Sequence, residues 1–281
     1  MQLSLTPPSP IAYFSTLTGG DDDFPLLEAA VSLAQDTQPD LDVQGVLLEV
    51  DAWGARVAQR LAADAGPLQR LKVLNQFFYK EMGFANNLND FYNPSNSFVH
   101  TLMESRRGIP ISLAVLWMEL AQGVGLSVKG IAFPGHFLVK VMLPMGQAVI
   151  DPVDGQSLSR ERLSEMLEPF RPVSGWDADA DVPLGAYLRG AKPRDILARM
   201  LHNLKEIYKS ESQWPQLLAV QERLVVLLPK ASTELRDRGL VHAKLGNTAQ
   251  ALKDLEAYLQ ASEIGVDFGS ISHQVETLRS L

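Results

Sequence analysis

Apolar residues recur at helical spacing from residue 26 onward, at Leu26, Leu27, Ala30, Val31 and Ala34. Pro25 suits the first position of that helix and Asp23 its cap. The residues before them, rich in proline and glycine, read as irregular. Amphipathic stretches at 43–61 and 67–79 predict two further helices. The segment 86–97, dense in asparagine, proline and serine, predicts a turn-rich loop that either connects elements or lines a site. A short helix over 98–105 stops at Arg106-Arg107-Gly108. The next helix, 110–122, is apolar up to Leu120 except for Ser112 and Glu119, so it should be buried. Pro110 fits its first turn, and Gly123 and Gly125 end it.

Three strand-like pieces follow, at 127–133, 136–143 and 147–151, the last two joined by a tight turn at Pro144-Met145-Gly146. A buried helix feeding an antiparallel sheet is an α+β arrangement. Residues 169–193 change in composition, with several prolines and Asp177, Asp179 and Asp181, and read as a linker. Beyond them the pattern is entirely helical and repeats every 34 residues. Aligning Lys205 with Gly239 also pairs Leu201 with Leu235, Tyr208 with His242, Leu217 with Ala251 and Leu224 with Tyr258. A helix-turn-helix unit of that period, closed by Pro229 in the first copy, resembles a tetratricopeptide repeat. The expected division is a core over 1–168, a linker over 169–193 and an all-α repeat region over 194–281. Two repeats leave apolar faces open, so they should pack on the core or on a last helix over 271–281.

Composition narrows the function classes. The hydrophobic fraction of 46% belongs to a globular chain with a full core. A formal net charge of −8 argues against nucleic acid or an anionic membrane as partner. Residues 194–281 carry 11 charges of each sign, so the net acidity lies in the first part. There is no cysteine, which removes a disulfide framework, a thiolate metal site and a cysteine nucleophile together. The most apolar run, 109–118, is too short to span a bilayer, and the first residues lack the basic segment of a signal peptide. A cytoplasmic location is expected. His100, His202, His242 and His273 are scattered, so neither a metal nor a cofactor is expected.

Three segments carry the candidate chemistry: Arg107-Gly108-Ile109-Pro110-Ile111-Ser112, Pro134-Gly135-His136-Phe137 and Ile150-Asp151-Pro152. They supply a helix N-terminus, a histidine opening one strand and an aspartate ending the next. This resembles the core of transglutaminase-like proteins and papain-like peptidases, where cysteine, histidine and aspartate take those places. Tyr92-Asn93-Pro94-Ser95-Asn96-Ser97, Arg236-Asp237-Arg238-Gly239 and Asp254-Leu255-Glu256-Ala257-Tyr258-Leu259 make the resemblance closer. Together these motifs resemble the bacterial SirB-type family, which joins such a core to a tetratricopeptide tail. The resemblance covers residues 26–261 and implies a transglutaminase-like, papain-like core. It departs at one position: Gly108-Ile109-Pro110 puts proline where active members carry cysteine. Proline offers neither a nucleophile nor a backbone donor.

Three functions compete on these residues. A non-catalytic core with repeats that dock a protein partner needs no chemistry, and Tyr208, Trp214 and Tyr258 are its candidate anchors. The same aromatics serve equally to pack the repeats. A triad of Ser112, His136 and Asp151 would instead make a serine-dependent acyl hydrolase or transferase. Against it, an alcohol is a weaker nucleophile than a thiol near neutral pH, and a serine early in a helix commonly bonds backbone groups. A cleft lined by Asn93, Asn96, Arg107, Ser112 and His136 would suit a small-molecule sensor. Two placements follow: His136 should bond Asp151, and Ser112 should face the cleft near His136.

Overall fold

The computed structural model describes residues 8–20, 23–170, 183–261 and 267–280. It begins with helices α1 (Pro10–Thr18), α2 (Leu26–Ser32), α3 (Val43–Ala58) and α4 (Pro67–Asn75), the last running into a π-helical turn at Gln76–Glu81. Strand β1 (Ala85–Asn86), a 3-10 turn (Pro94–Ser97), α5 (Val99–Ser105), β2 (Arg107–Gly108) and α6 (Pro110–Gly123) follow. Strands β3 (Val128–Ile131), β4 (Leu138–Leu143) and β5 (Gly146–Ile150) precede α7 (Arg160–Leu167) and α8 (Leu184–Tyr187). Helices α9 (Pro193–Ser210), α10 (Trp214–Leu227), α11 (Ser232–Lys244), α12 (Thr248–Ala261) and α13 (Phe268–Arg279) come last. The architecture is the expected one, an α+β region with a small antiparallel sheet and then an all-helical region.

The chain forms two compact units. One comprises Pro25–Ala34 and Asp40–Leu197; the other comprises the described residues of Met1–Phe24, Gln35–Pro39 and Ala198–Leu281. In the first, α6 is the organising element. Its apolar sequence leaves it no solvent face, and only Glu119, Gln122 and Gly123 escape full burial. Helices α2, α3, α4 and α5 and strands β3 and β4 pack around it. The sheet runs β3-β4-β5, antiparallel throughout, with Val128 opposite Val141 and Val139 opposite Ile150. Ile131, Phe133, Leu138 and Val149 of the sheet region bury one face against Leu163 and Leu167 of α7. That packing fixes the ends of the strands, where the candidate histidine and aspartate lie.

The second unit shows how two repeats are kept from exposing apolar faces. Helix α11 closes tightly on α12 at Gly239, where a Cβ would meet Leu255 at 2.8 Å. Ile271, Val275 and Leu278 of α13 cover Ala251, Leu255 and Tyr258 of α12. On the other side α1 packs against α10. The ends of the array are therefore capped from within, as a short solenoid requires.

Several expectations need correction. The residues before 25 are not all irregular. Ser9 caps α1 by accepting from the Ala12 N–H, Pro10 sits in its first turn, and Phe14 is fully buried. The prolines there start a helix rather than interrupt one. Asp23 does not cap α2, which begins after Pro25 without a side-chain cap. His136 does not open β4; it lies in the turn before it, after Gly135 at φ +67°. Much of the linker expected over 169–193, with Asp177, Asp179 and Asp181, lies outside the described residues.

Candidate functional site

The start of α6 decides what chemistry is available. Pro110 occupies the first turn and is buried, so the helix opens on a side chain without a reactive atom. Ser112 is fully buried. Its hydroxyl lies 2.6 Å from the Asn96 carbonyl and 3.0 Å from that of Ile109, and it accepts from the Ile109 N–H at 3.1 Å. The hydroxyl proton is thus committed to a backbone carbonyl, while the oxygen satisfies a donor at the helix start. Gly108 makes room for this: a Cβ there would stand 2.7 Å from Ser112 Oγ and 2.9 Å from Leu102 Cδ1. Among the described residues, no hydrogen bond joins Ser112 to His136.

The neighbouring loop is held by the other residues expected to line a cleft. Strands β1 and β2 pair in parallel, Ala85 with Arg107 and Asn86 with Gly108, which ties the loop to the start of α6. Asn93 caps the 3-10 turn through the Ser95 N–H at 3.0 Å and donates to Asp90 at 2.7 Å. Asn96 donates to the Asp90 carbonyl at 2.6 Å and accepts from Asn87 at 2.9 Å. The Arg107 guanidinium donates to the carbonyls of Gly83 and Arg106 at 2.8 and 2.9 Å. These four polar side chains, Ser112 included, make internal bonds instead of presenting themselves together to a ligand. Four further polar atoms of this region, Asn86 Oδ1, Ser97 Oγ, His100 Nδ1 and Arg106 Nη1, are buried and bond nothing among the described residues. Burial holds the His100 ring below its ordinary pKa, hence neutral near pH 7.

His136 and Asp151 do meet, as expected. Nε2 lies 3.1 Å from each carboxylate oxygen, and each side chain keeps about a fifth of its surface exposed. Asp151 is set by the chain that follows β5: its Oδ1 accepts from the Val153 N–H at 3.0 Å, and its carbonyl accepts from Gly155 at 2.8 Å. Two residues not singled out in the sequence hold that turn. The Tyr79 hydroxyl donates to the Pro152 carbonyl at 3.0 Å. Asn75 donates to the Gly155 carbonyl at 3.1 Å and accepts from the Trp117 indole at 3.0 Å, linking the turn to α6. Burial, helped by the charges of Asp151 and Asp154, raises the Tyr79 phenol well above its usual pKa, so it remains a donor. The sequence carried no signal for Asn75 and Tyr79, because their partners lie more than 70 residues away.

In the repeat unit the three aromatic candidates separate. Tyr208 and Tyr258 are each 4% exposed. Tyr258 donates to Asp267 at 2.6 Å under the Arg236 guanidinium, and belongs to the cluster that joins α12 to α13. Both are packing residues, buried because the repeat geometry turns them inward. Trp214 alone lines a groove, of about 420 Å³, with Leu217, Leu240, Val241, Lys209 and Lys244 among its other walls.

The comparisons with known proteins agree with the architecture. Residues 44–202 match the transglutaminase-like superfamily, and residues 204–276 match a tetratricopeptide repeat. The chain belongs to the UPF0162 family, the SirB-type group of proteins with a transglutaminase-like core and a C-terminal tetratricopeptide region. It is 34% identical to the UPF0162 protein of Xylella fastidiosa over 86% of each chain. It is 23% identical to UPF0162 protein YchA of Escherichia coli, over 84% of this chain and 86% of the relative. The UPF0162 protein of Vibrio cholerae is also 23% identical, over 85% of this chain and 88% of its own. No solved structure matches the chain. Among the described residues, no helix is long and apolar enough to cross a membrane.

Proposed function

We propose that this is a non-catalytic transglutaminase-like protein that acts as a protein-binding module through its helical repeats. The observation that carries the reading is the start of α6. Pro110 stands at the helix start and Ser112, the nearest hydroxyl, is buried with its proton on a backbone carbonyl. A nucleophile needs a base on its proton and an open line to the reacting carbon. Ser112 has neither, which weighs against the serine-dependent reading with His136 and Asp151. The His136–Asp151 pair then serves to join the turn before β4 to the end of β5. The repeats supply the binding surface, as arrays of this kind commonly do.

A serine-directed fluorophosphonate probe tests the claim on the intact protein. No labelling is expected under native conditions. Labelling that disappears in Ser112→Ala, with fold unchanged by circular dichroism, would establish an activated serine and overturn the reading.

A further inference from the structure

We infer that the groove of the repeat unit receives an extended acidic peptide segment bearing an apolar side chain. This rests on the binding reading above and gives that partner a chemistry. The first observation is charge. Lys209 and Lys244 line the groove and are exposed, and neither forms an ion pair among the described residues. Asp237, the acidic residue of the lining, is occupied: its carboxylate meets Lys205 Nζ at 2.6 Å and Arg236 at 2.7 Å. Lys205 is in turn held by Glu234 at 2.8 Å. The available charge of the groove is therefore positive, on a protein whose net charge is −8. Such a local reversal selects an anionic ligand by electrostatic complementarity.

The second observation is a buried amide. Gln221 also belongs to the groove wall and is 0% exposed, yet neither its Nε2 nor its Oε1 has a partner among the described residues. A buried amide left unbonded destabilises the free protein, because both its donor and its acceptor have lost water. A peptide backbone offers the matching pair, one carbonyl and one N–H, once the wall side chains part to admit it. The third observation is the floor. Trp214, Leu217, Leu240 and Val241 make it apolar, and the volume of about 420 Å³ lies in the ordinary range for a ligand site. An acidic peptide with an apolar side chain answers all three features. A nucleic acid answers only the first, since two lysines are few for a phosphate ladder and Trp214 is the single aromatic of the groove.

The test uses the full chain and a short fluorescein-labelled peptide alternating glutamate with leucine, read by anisotropy. Parallel probes replace glutamate by glutamine or by lysine. The glutamate peptide should bind, and the glutamine peptide should bind about tenfold more weakly. The double variant Lys209→Glu/Lys244→Glu should reverse the preference toward the lysine peptide. Gln221→Leu should raise the melting temperature of the free chain while weakening the glutamate peptide, a combination that a purely structural role would not give. Equal binding of the glutamate and glutamine peptides, unaffected by charge reversal, would overturn this inference and leave the binding reading standing. Failure of all three peptides to bind would overturn both. Displacement of the glutamate peptide by oligothymidylate at lower concentration than by unlabelled peptide would overturn it in favour of nucleic acid.

Discussion

The side chains expected to line a cleft at the start of α6 and those that line the groove of the repeats are treated in opposite ways. At the helix start the residues best placed for chemistry or ligand binding, Ser112, Asn93, Asn96 and Arg107, each bond the protein's own backbone. In the groove, Lys209 and Lys244 stand unpaired among the described residues, and Gln221 is buried without a partner. Groups satisfied from within hold a shape; groups left unmet gain when a ligand arrives. The difference teaches where to look in a protein with a transglutaminase-like core and no cysteine. The histidine and aspartate bond each other, and the hydroxyl at the start of α6 bonds the backbone around it.

The two regions also rest on different interactions, and substitutions can separate them. The largest effect is expected in the repeat unit. Arg223 is 1% exposed and makes a two-pronged pair with Asp36 at 2.6 and 2.8 Å, over the ring of Phe14. Asp36→Ala removes the paired carboxylate from a buried guanidinium and should destabilise the protein by about 3–5 kcal/mol in thermal denaturation. In the core, Gly108→Ala should cost about 2 kcal/mol, since its methyl group collides with Ser112 Oγ and Leu102. A Gly108→Ala protein as stable as the parent would show that the close approach to Ser112 does not matter.

Acid should weaken the repeat unit. Burial alone would raise the pKa of Glu234, but hydrogen bonds from His202 and Lys205 overcome it and hold it at about 2, against an ordinary 4.5. Because the folded value is depressed, this contribution is complete above about pH 4.5 and is lost as pH falls toward about 2. Over that window Glu234→Gln should remove about 1–2 kcal/mol of the acid-induced loss, measured by denaturant melts at several pH values. The smallest effect belongs to the turn behind Asp151. Tyr79→Phe removes its bond to the Pro152 carbonyl and should lower stability by about 1 kcal/mol, leaving the fold intact by circular dichroism.

Much of this was legible in the sequence because it depends on local pattern. The apolar run of α6 announced its burial, and its proline its start. The 34-residue period gave the hairpins, with Lys205 aligned to Gly239, and the structure shows that these two positions play different parts. At Gly239 two helices touch; at Lys205 an ammonium group reaches Glu234 and Asp237 instead. What the sequence hid depends on distant contacts. Helix α1 was obscured by prolines whose meaning turns on the Ser9 cap and on the burial of Phe14. Asn75 and Tyr79 gain their role only when residues 152–155 fold against them. The role of Ser112 was open because a serine in a first turn fits capping and catalysis alike, and only the Asn96 carbonyl at 2.6 Å separates the two.

The most direct test of the account compares peptide binding in two variants of the intact chain. Lys209→Glu/Lys244→Glu alters the groove, and His136→Ala breaks the His136–Asp151 pair of the core. Anisotropy of the glutamate–leucine peptide should show at least about a tenfold loss of affinity for the first and a change within about twofold for the second. Loss of binding in His136→Ala, with the groove variant unaffected and both proteins folded, would contradict the account.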